Sequence, residues 1–195
     1  MRIGVAARPK PGEVLSGDAY FYGVVGGQVL VCLIDGIGHG EEGHRASAKM
    51  VQFLEGSRVL DLDALIRDGH QELRGTRGAV IGMAVIREDE DSISYAGVGN
   101  ITTAVVGANG VDGNVQARHL ISVGGIVGYK LRRIKKFEHP YRGGDTLVMF
   151  TDGISSRFSI PDYFVGGADP QSIADAILRE QGKDNDDATI LVIER

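Results

Sequence analysis

"VLVCLIDGIGHGEEGHRASAKM", residues 29–50, decides how this chain is read. Six consecutive apolar residues, Val29 to Ile34, end in Asp35. A run that is apolar at every position fits a strand buried on both faces. A Gly-His-Gly turn follows, and Glu42 to Leu54 then places Ala46, Met50, Val51 and Leu54 on one face of a predicted helix. The question the stretch poses is why a carboxylate stands at the mouth of a buried strand.

Outward from this unit, strands are predicted at Ile3–Ala7 and Ala19–Val25. A second helix runs over Leu62–Leu73, with Asp61 as its cap and Gly75 beyond its end. The middle of the chain reads as successive short strands in "AVIGMAVI", "SISYAGV", "ITTAVVGANG", "VQARHLISV", "RIKKFEHP" and "TLVMFT". "DPQSIADAILREQG" gives one late helix with Asp169 as cap and Pro170 in its first turn, and "ATILVIE" a final strand. Strands in series with helices gathered in two places predict an α+β sandwich of two antiparallel sheets flanked by helices.

The bulk properties agree. A chain of 195 residues fits one domain spanning 1–195. The 29 glycines favour many tight turns over a helical bundle. No apolar run is long enough to span a bilayer, and "MRIGVAARPKPGE" lacks the apolar core of a signal peptide, so a cytoplasmic protein without membrane partners is expected. The lone Cys32 lies inside the apolar run and reads as a small buried hydrophobe. A net charge of -5 argues against general nucleic-acid binding. One exception is local: residues 129–142, "YKLRRIKKFEHPYR", concentrate Lys130, Arg132, Arg133, Lys135 and Lys136. This is a solvated edge, or else a docking patch for an acidic or phosphorylated protein.

Four aspartates share one kind of position. Asp18 opens a predicted strand, Asp35 and Asp152 end strands, and Asp186 precedes the last one. Each Asp-Gly pair alone reads as a turn. As a set, carboxylates at the ends of buried strands repel one another and resist desolvation unless a cation joins them. Oxygen ligands without supporting cysteine favour Mg²⁺ or Mn²⁺ over zinc. Two such ions sharing Asp35, with the Gly36 carbonyl as a further ligand, would activate a water for phosphate-ester hydrolysis.

The segments "SGDAY", "LIDGIGHG", "YAGVGN", "DTLVMFTDGI" and "DDATILVI", in this order and spacing, resemble the type 2C (PPM) serine/threonine protein phosphatases in their bacterial, SpoIIE-like branch. The resemblance covers nearly the whole chain. It implies a four-layer α-β-β-α sandwich and a centre of two divalent cations, Mn or Mg. It makes Asp35 the bridging ligand, Gly36 a carbonyl ligand, Asp152 and Asp186 ligands of the other metal, and Asp18 an acid that holds metal-bound waters. Asp187 takes a slot often filled by a polar neighbour. The implied reaction is hydrolysis of phosphoserine or phosphothreonine by metal-bound water. The implied partners are phosphorylated STAS-domain proteins of the stressosome scaffold or antagonist type.

The chain departs from the eukaryotic pattern at two points. Ile37 stands where those enzymes place an acid histidine, and Glu13 where they place a phosphate-gripping arginine. His39 and His44 are candidates for the acid and Arg8 for the grip. "GVGNITT" reads as a turn between strands, although the resemblance sets it near the active-site face. Two other functions stay open: a phosphoprotein-binding module without turnover, and a small-molecule phosphoesterase using the same centre.

Overall fold

The computed structural model describes residues 1–108, 115–164 and 167–195. In chain order the elements are β1 (Arg2–Arg8), β2 (Asp18–Val25), β3 (Gln28–Gly36), α1 (Gly40–Gly56), α2 (Leu62–Glu72), β4 (Ala79–Arg87), β5 (Ser92–Val98) and β6 (Thr102–Val106). They continue with β7 (Ala117–Leu120), β8 (Ser122–Val123), β9 (Phe137–Pro140), β10 (Thr146–Phe150), α3 (Pro170–Gln181) and β11 (Ala188–Glu194). One sheet runs β1-β11-β10-β6-β7, and the other β2-β3-β4-β5, with β8 and β9 both paired to β5.

The continuous apolar runs are explained by burial on both faces. In β3, Val29, Val31 and Leu33 enter the core between the two sheets, while Leu30, Cys32 and Ile34 meet α1 and α2. The same alternation divides β11: Leu191 and Ile193 face the other sheet, and Ile190 and Val192 pack toward α3. The result is four layers, α1 and α2, sheet, sheet, α3. Asp61 caps α2 by accepting from the Ala64 amide at 2.9 Å, and Asp169 caps α3 through the Gln171 and Ser172 amides.

Three sequence expectations are refined. "VQARHLISV" is two strands, because the chain changes sheets at Ile121: β7 pairs with β6, and β8 with β5. The β5–β8 pairing is parallel, the exception to otherwise antiparallel ladders among the described residues. Of "RIKKFEHP", only Phe137–Pro140 is a strand; the preceding cations have no ladder partner among the described residues. The last two residues of "ITTAVVGANG" lie outside the described residues. Among those described, no helix is long and apolar enough to cross a membrane.

Candidate metal centre

Register brings the first two acids together. Asp18 and Asp35 are direct partners across the β2–β3 ladder and therefore share a face of the sheet. Asp35 keeps the parity of Val31 and Leu33, so its side chain lies on the side between the sheets, where the layer opens. Each buried Val, Leu or Ile of β3 contributes about 1.5–3 kcal/mol. Together they outweigh the several kcal/mol of desolvating a carboxylate at the strand's end.

The other sheet supplies the remaining acids. Thr151 follows β10, and its hydroxyl donates to Asp18 Oδ2 at 2.7 Å while accepting from the Thr189 amide at 3.0 Å. This buried link ties the two sheets at the mouth. Asp152 comes next, exposed, and accepts from Asn100 Nδ2 at 2.9 Å. Asp186 and Asp187 precede β11. Asp187 is buried, and both its oxygens are used, accepting from the Lys10 amide at 2.8 Å and the Gly17 amide at 2.9 Å. It fixes the loop before β2; Gly17 in turn receives the Gly36 amide at 3.0 Å.

Charge crowding marks the site. Burial pushes the Asp35 carboxyl up to about 8, and the negative charges of Asp18, Asp152, Asp186 and Asp187 add to the rise. Asp18 is raised to about 7, again chiefly by burial, against the hydrogen bond from Thr151; Asp187 and Asp186 raise it further. Among the described residues, no three His, Cys, Asp or Glu side chains close into a ready-made ion cage. The acids ring one mouth rather than meeting at a point. Like charges keep such groups apart until a cation offsets them. The oxygen-only donor set fits a hard divalent ion such as Mg²⁺ or Mn²⁺, and divalent charge would hold Asp35 and Asp18 ionised at neutral pH.

Two glycines are needed for close approach. A Cβ on Gly36 would lie 2.0 Å from the Gly43 carbonyl oxygen of α1, and one on Gly153 would lie 1.8 Å from that of Asp187. Both Asp-Gly pairs thus bring backbone against backbone; Asp152-Gly153 is a turn, whereas Asp35-Gly36, which alone reads as one, is the ladder-paired end of β3.

The other sequence candidates are already engaged. His39 Nδ1 meets Glu13 Oε1 at 2.7 Å, and His44 Nδ1 lies 3.2 Å from the Ser16 carbonyl. Arg8 binds the Lys183 carbonyl and faces Asp184 at 3.7 Å. Glu13, at the slot of the phosphate-gripping arginine, thus carries the opposite charge and pairs with an imidazole.

Four contributors were not identified from sequence. Thr151 had a usable signal, since it continues the parity of Leu147 and Met149 toward the inter-sheet face. Asn100, read as part of a turn, also holds Asp152. Lys183 donates from Nζ to the Asp152 carbonyl at 2.5 Å. Arg77 pairs with Glu42 and lies against Gly38, where a Cβ would come within 2.9 Å of a guanidinium nitrogen. Nothing local in the sequence marks Lys183 or Arg77.

Comparison with known proteins follows the same lines. The profile of the Stage II sporulation protein E (SpoIIE) family matches residues 25–195. Phosphoserine phosphatase RsbX of Bacillus subtilis (strain 168) is 21% identical over 186 residues, covering 94% of this chain and 89% of that protein. A solved chain from work on the bacterial stressosome, described as a modular system adapted to control secondary messenger signaling, superposes with a TM-score of 0.88 at 27% identity. That alignment covers 98% of this chain and 97% of the other. The crystal structure of RsbX in complex with magnesium gives a TM-score of 0.84 at 21% identity, over 96% and 92% of the two chains. With two stacked sheets, helices on both outer faces and a profile match over most of its length, this chain belongs to the SpoIIE family.

Proposed function

We propose that this protein hydrolyses phosphoserine or phosphothreonine on STAS-domain proteins of stressosome type, with two divalent cations, Mn²⁺ or Mg²⁺, held at the mouth between its sheets. Its family and the phosphatases it resembles make it a protein serine/threonine phosphatase. We take residues 1–195 as one PPM-type domain, supported by the core that both sheets share.

The observation that carries the reading is the meeting of Asp18 and Asp35, ladder partners at the ends of β2 and β3, with Asp152 and Asp186 from the facing sheet, close enough that burial and their charges together raise the Asp35 carboxyl. Asp35 and the Gly36 carbonyl, with Asp152 and Asp186, are the groups proposed to hold the cations, with Asp18 beside them. Bound there, the cations would supply Lewis acidity toward the phosphoryl oxygens and acidify a water. The chain's own part is positional. Thr151 fixes the Asp18 carboxylate, Asn100 aims Asp152, and Asp187 holds the Gly17 backbone against Gly36. In the reaction, a water oxygen bonds to phosphorus and gives up a proton, the phosphorus–oxygen bond to the serine or threonine breaks, and the leaving oxygen takes up a proton, so that the free side chain and inorganic phosphate result. Stressosome substrates follow from the likeness to RsbX and to the stressosome chain.

The test is phosphate release from a phosphorylated STAS protein, followed by intact mass. Mn²⁺ should support turnover, EDTA should stop it, and Asp35→Asn should lower the rate about a hundredfold or more. Wild-type turnover by the Asp35→Asn variant with Mn²⁺ present would refute the proposal. A phosphoprotein-binding module without turnover is the second reading, favoured by the Glu13–His39 pair at the phosphate-gripping slot; chelator-sensitive turnover rules it out.

A further inference from the structure

Residues 130–136, "KLRRIKK", hold five of the 21 Lys and Arg residues and no acid, so the rest of the chain sets only 16 basic residues against 26 Asp and Glu. Lys130, Arg132, Arg133, Lys135 and Lys136 are exposed, while Leu131 and Ile134 between them are part-buried against the core beneath α1 and α2. The two apolar side chains anchor an otherwise irregular segment and leave its cations facing water. Among the described residues none of the five cations makes an ion pair, so all five charges are free to meet a partner. Unpaired like charges held on a fixed backbone repel one another, a cost that an anionic partner would relieve.

The placement is specific. Gly36 pairs with Ala79, and Ala79 bridges Val127 through amide–carbonyl bonds of 2.9 and 2.8 Å. Two strand spacings put Val127 about 10 Å from Gly36 at the end of β3. The chain then reverses through the Ile126–Lys130 bridge and rejoins the sheet at Phe137, opposite Tyr95. Lys130 lies one further strand spacing out, so the cations form a track that starts about 15 Å from Gly36 and leads away from the mouth along β5. Its six residues from Leu131 span at most about 20 Å, the reach of a short extended peptide.

We infer that this basic track docks the acidic segment flanking the phosphorylated residue of the protein substrate, so that Asp- and Glu-rich sequence beside the phosphosite sets specificity. The inference rests on the phosphatase reading and adds a recognition surface to it. A short acidic protein segment fits better than nucleic acid, because a longer polyanion would run onto a surface that is otherwise net acidic. Attraction of this kind acts mainly on encounter and selection and is screened by salt.

The experiment compares kcat/KM for three substrates with Mn²⁺: p-nitrophenyl phosphate, a phosphoserine peptide with Asp/Glu flanks, and the same peptide with Gly/Ser flanks. The wild type should prefer the acidic peptide, with the preference fading as ionic strength rises. The combined variant Arg132→Glu, Arg133→Glu, Lys135→Glu, Lys136→Glu should lower the acidic-to-neutral ratio about tenfold or more. The matching Gln variant should fall between, and thermal melting of each variant controls for folding. Equal kcat/KM for both peptides in the wild type, with turnover intact, would overturn the inference alone. No turnover of any of the three would instead count against the phosphatase reading. If the variants keep the peptide ratio but lose binding to anionic vesicles or to RNA, the track serves that partner and the inference is wrong.

Discussion

At residue 35 the sheet holds a carboxyl that water would ionise freely, and burial beside other acids makes it retain its proton to about 8 instead of the ordinary 3.8. A carboxyl whose folded value lies above its unfolded value favours the folded state while protonated. The stability it contributes is fully present below about pH 4 and is lost as pH rises through about 8. Asp18, raised to about 7, acts in the same direction. The metal-free protein should therefore melt at falling temperature between pH 5 and pH 8, and Mn²⁺ should reverse the fall. Asp35→Asn should raise the melting temperature of the metal-free protein at pH 8 by about a few degrees while lowering turnover of the metal-loaded protein about a hundredfold or more. A flat melting profile across that range in EDTA would contradict the charge crowding described above. Cys32 shows the other outcome of burial. Its thiol is fully buried with its ionisation pushed far up, so it should resist alkylating reagents until the protein unfolds.

At the scale of elements, the Asp35-Gly36 end of β3, the turn over residues 37–39 that follows it and α1 form one packed unit. The absence of a Cβ on Gly36 lets the turn approach the Gly43 carbonyl, and Ile37 donates its amide to the Gly78 carbonyl at 2.9 Å. Gly36→Ala should therefore cost about 1–3 kcal/mol of stability and lower turnover by shifting the turn; unchanged activity would show that the turn tolerates displacement. If Mn²⁺ binds at this turn, the amides of α1 should exchange more slowly with the ion than without it, and equal exchange would separate the helix from the site. A control lies on α2, where Asp61 caps the helix away from the mouth. Asp61→Ala should lower stability by about 1 kcal/mol and leave turnover at its wild-type value.

Over the whole molecule, the mouth is where two sheets meet and the basic track is where an acidic surface is interrupted, so the proposed metal ligation and the proposed substrate docking fall on separate, neighbouring parts of one surface. Mn²⁺ should raise the melting temperature in proportion to the logarithm of its concentration once the site is filled, and Asp152→Ala and Asp186→Ala should each weaken that response. Much of this architecture was legible in the sequence. The uninterrupted apolar runs of β3 and β11 required cover on both faces, the caps Asp61 and Asp169 marked their helices, and the four aspartates announced themselves by their places at strand ends. These are local signals, set by side-chain periodicity and backbone preference within a few residues. The sequence did not resolve how "VQARHLISV" divides between sheets, because a strand's choice of partner is a long-range matter. Nor did it reveal that Thr151 joins Asp18 across the layers, that Asp187 is occupied by two backbone amides, or that Arg77 and Lys183 reach the rim. Those relations join residues far apart in the chain, and only the packing of one sheet upon the other brings them into contact.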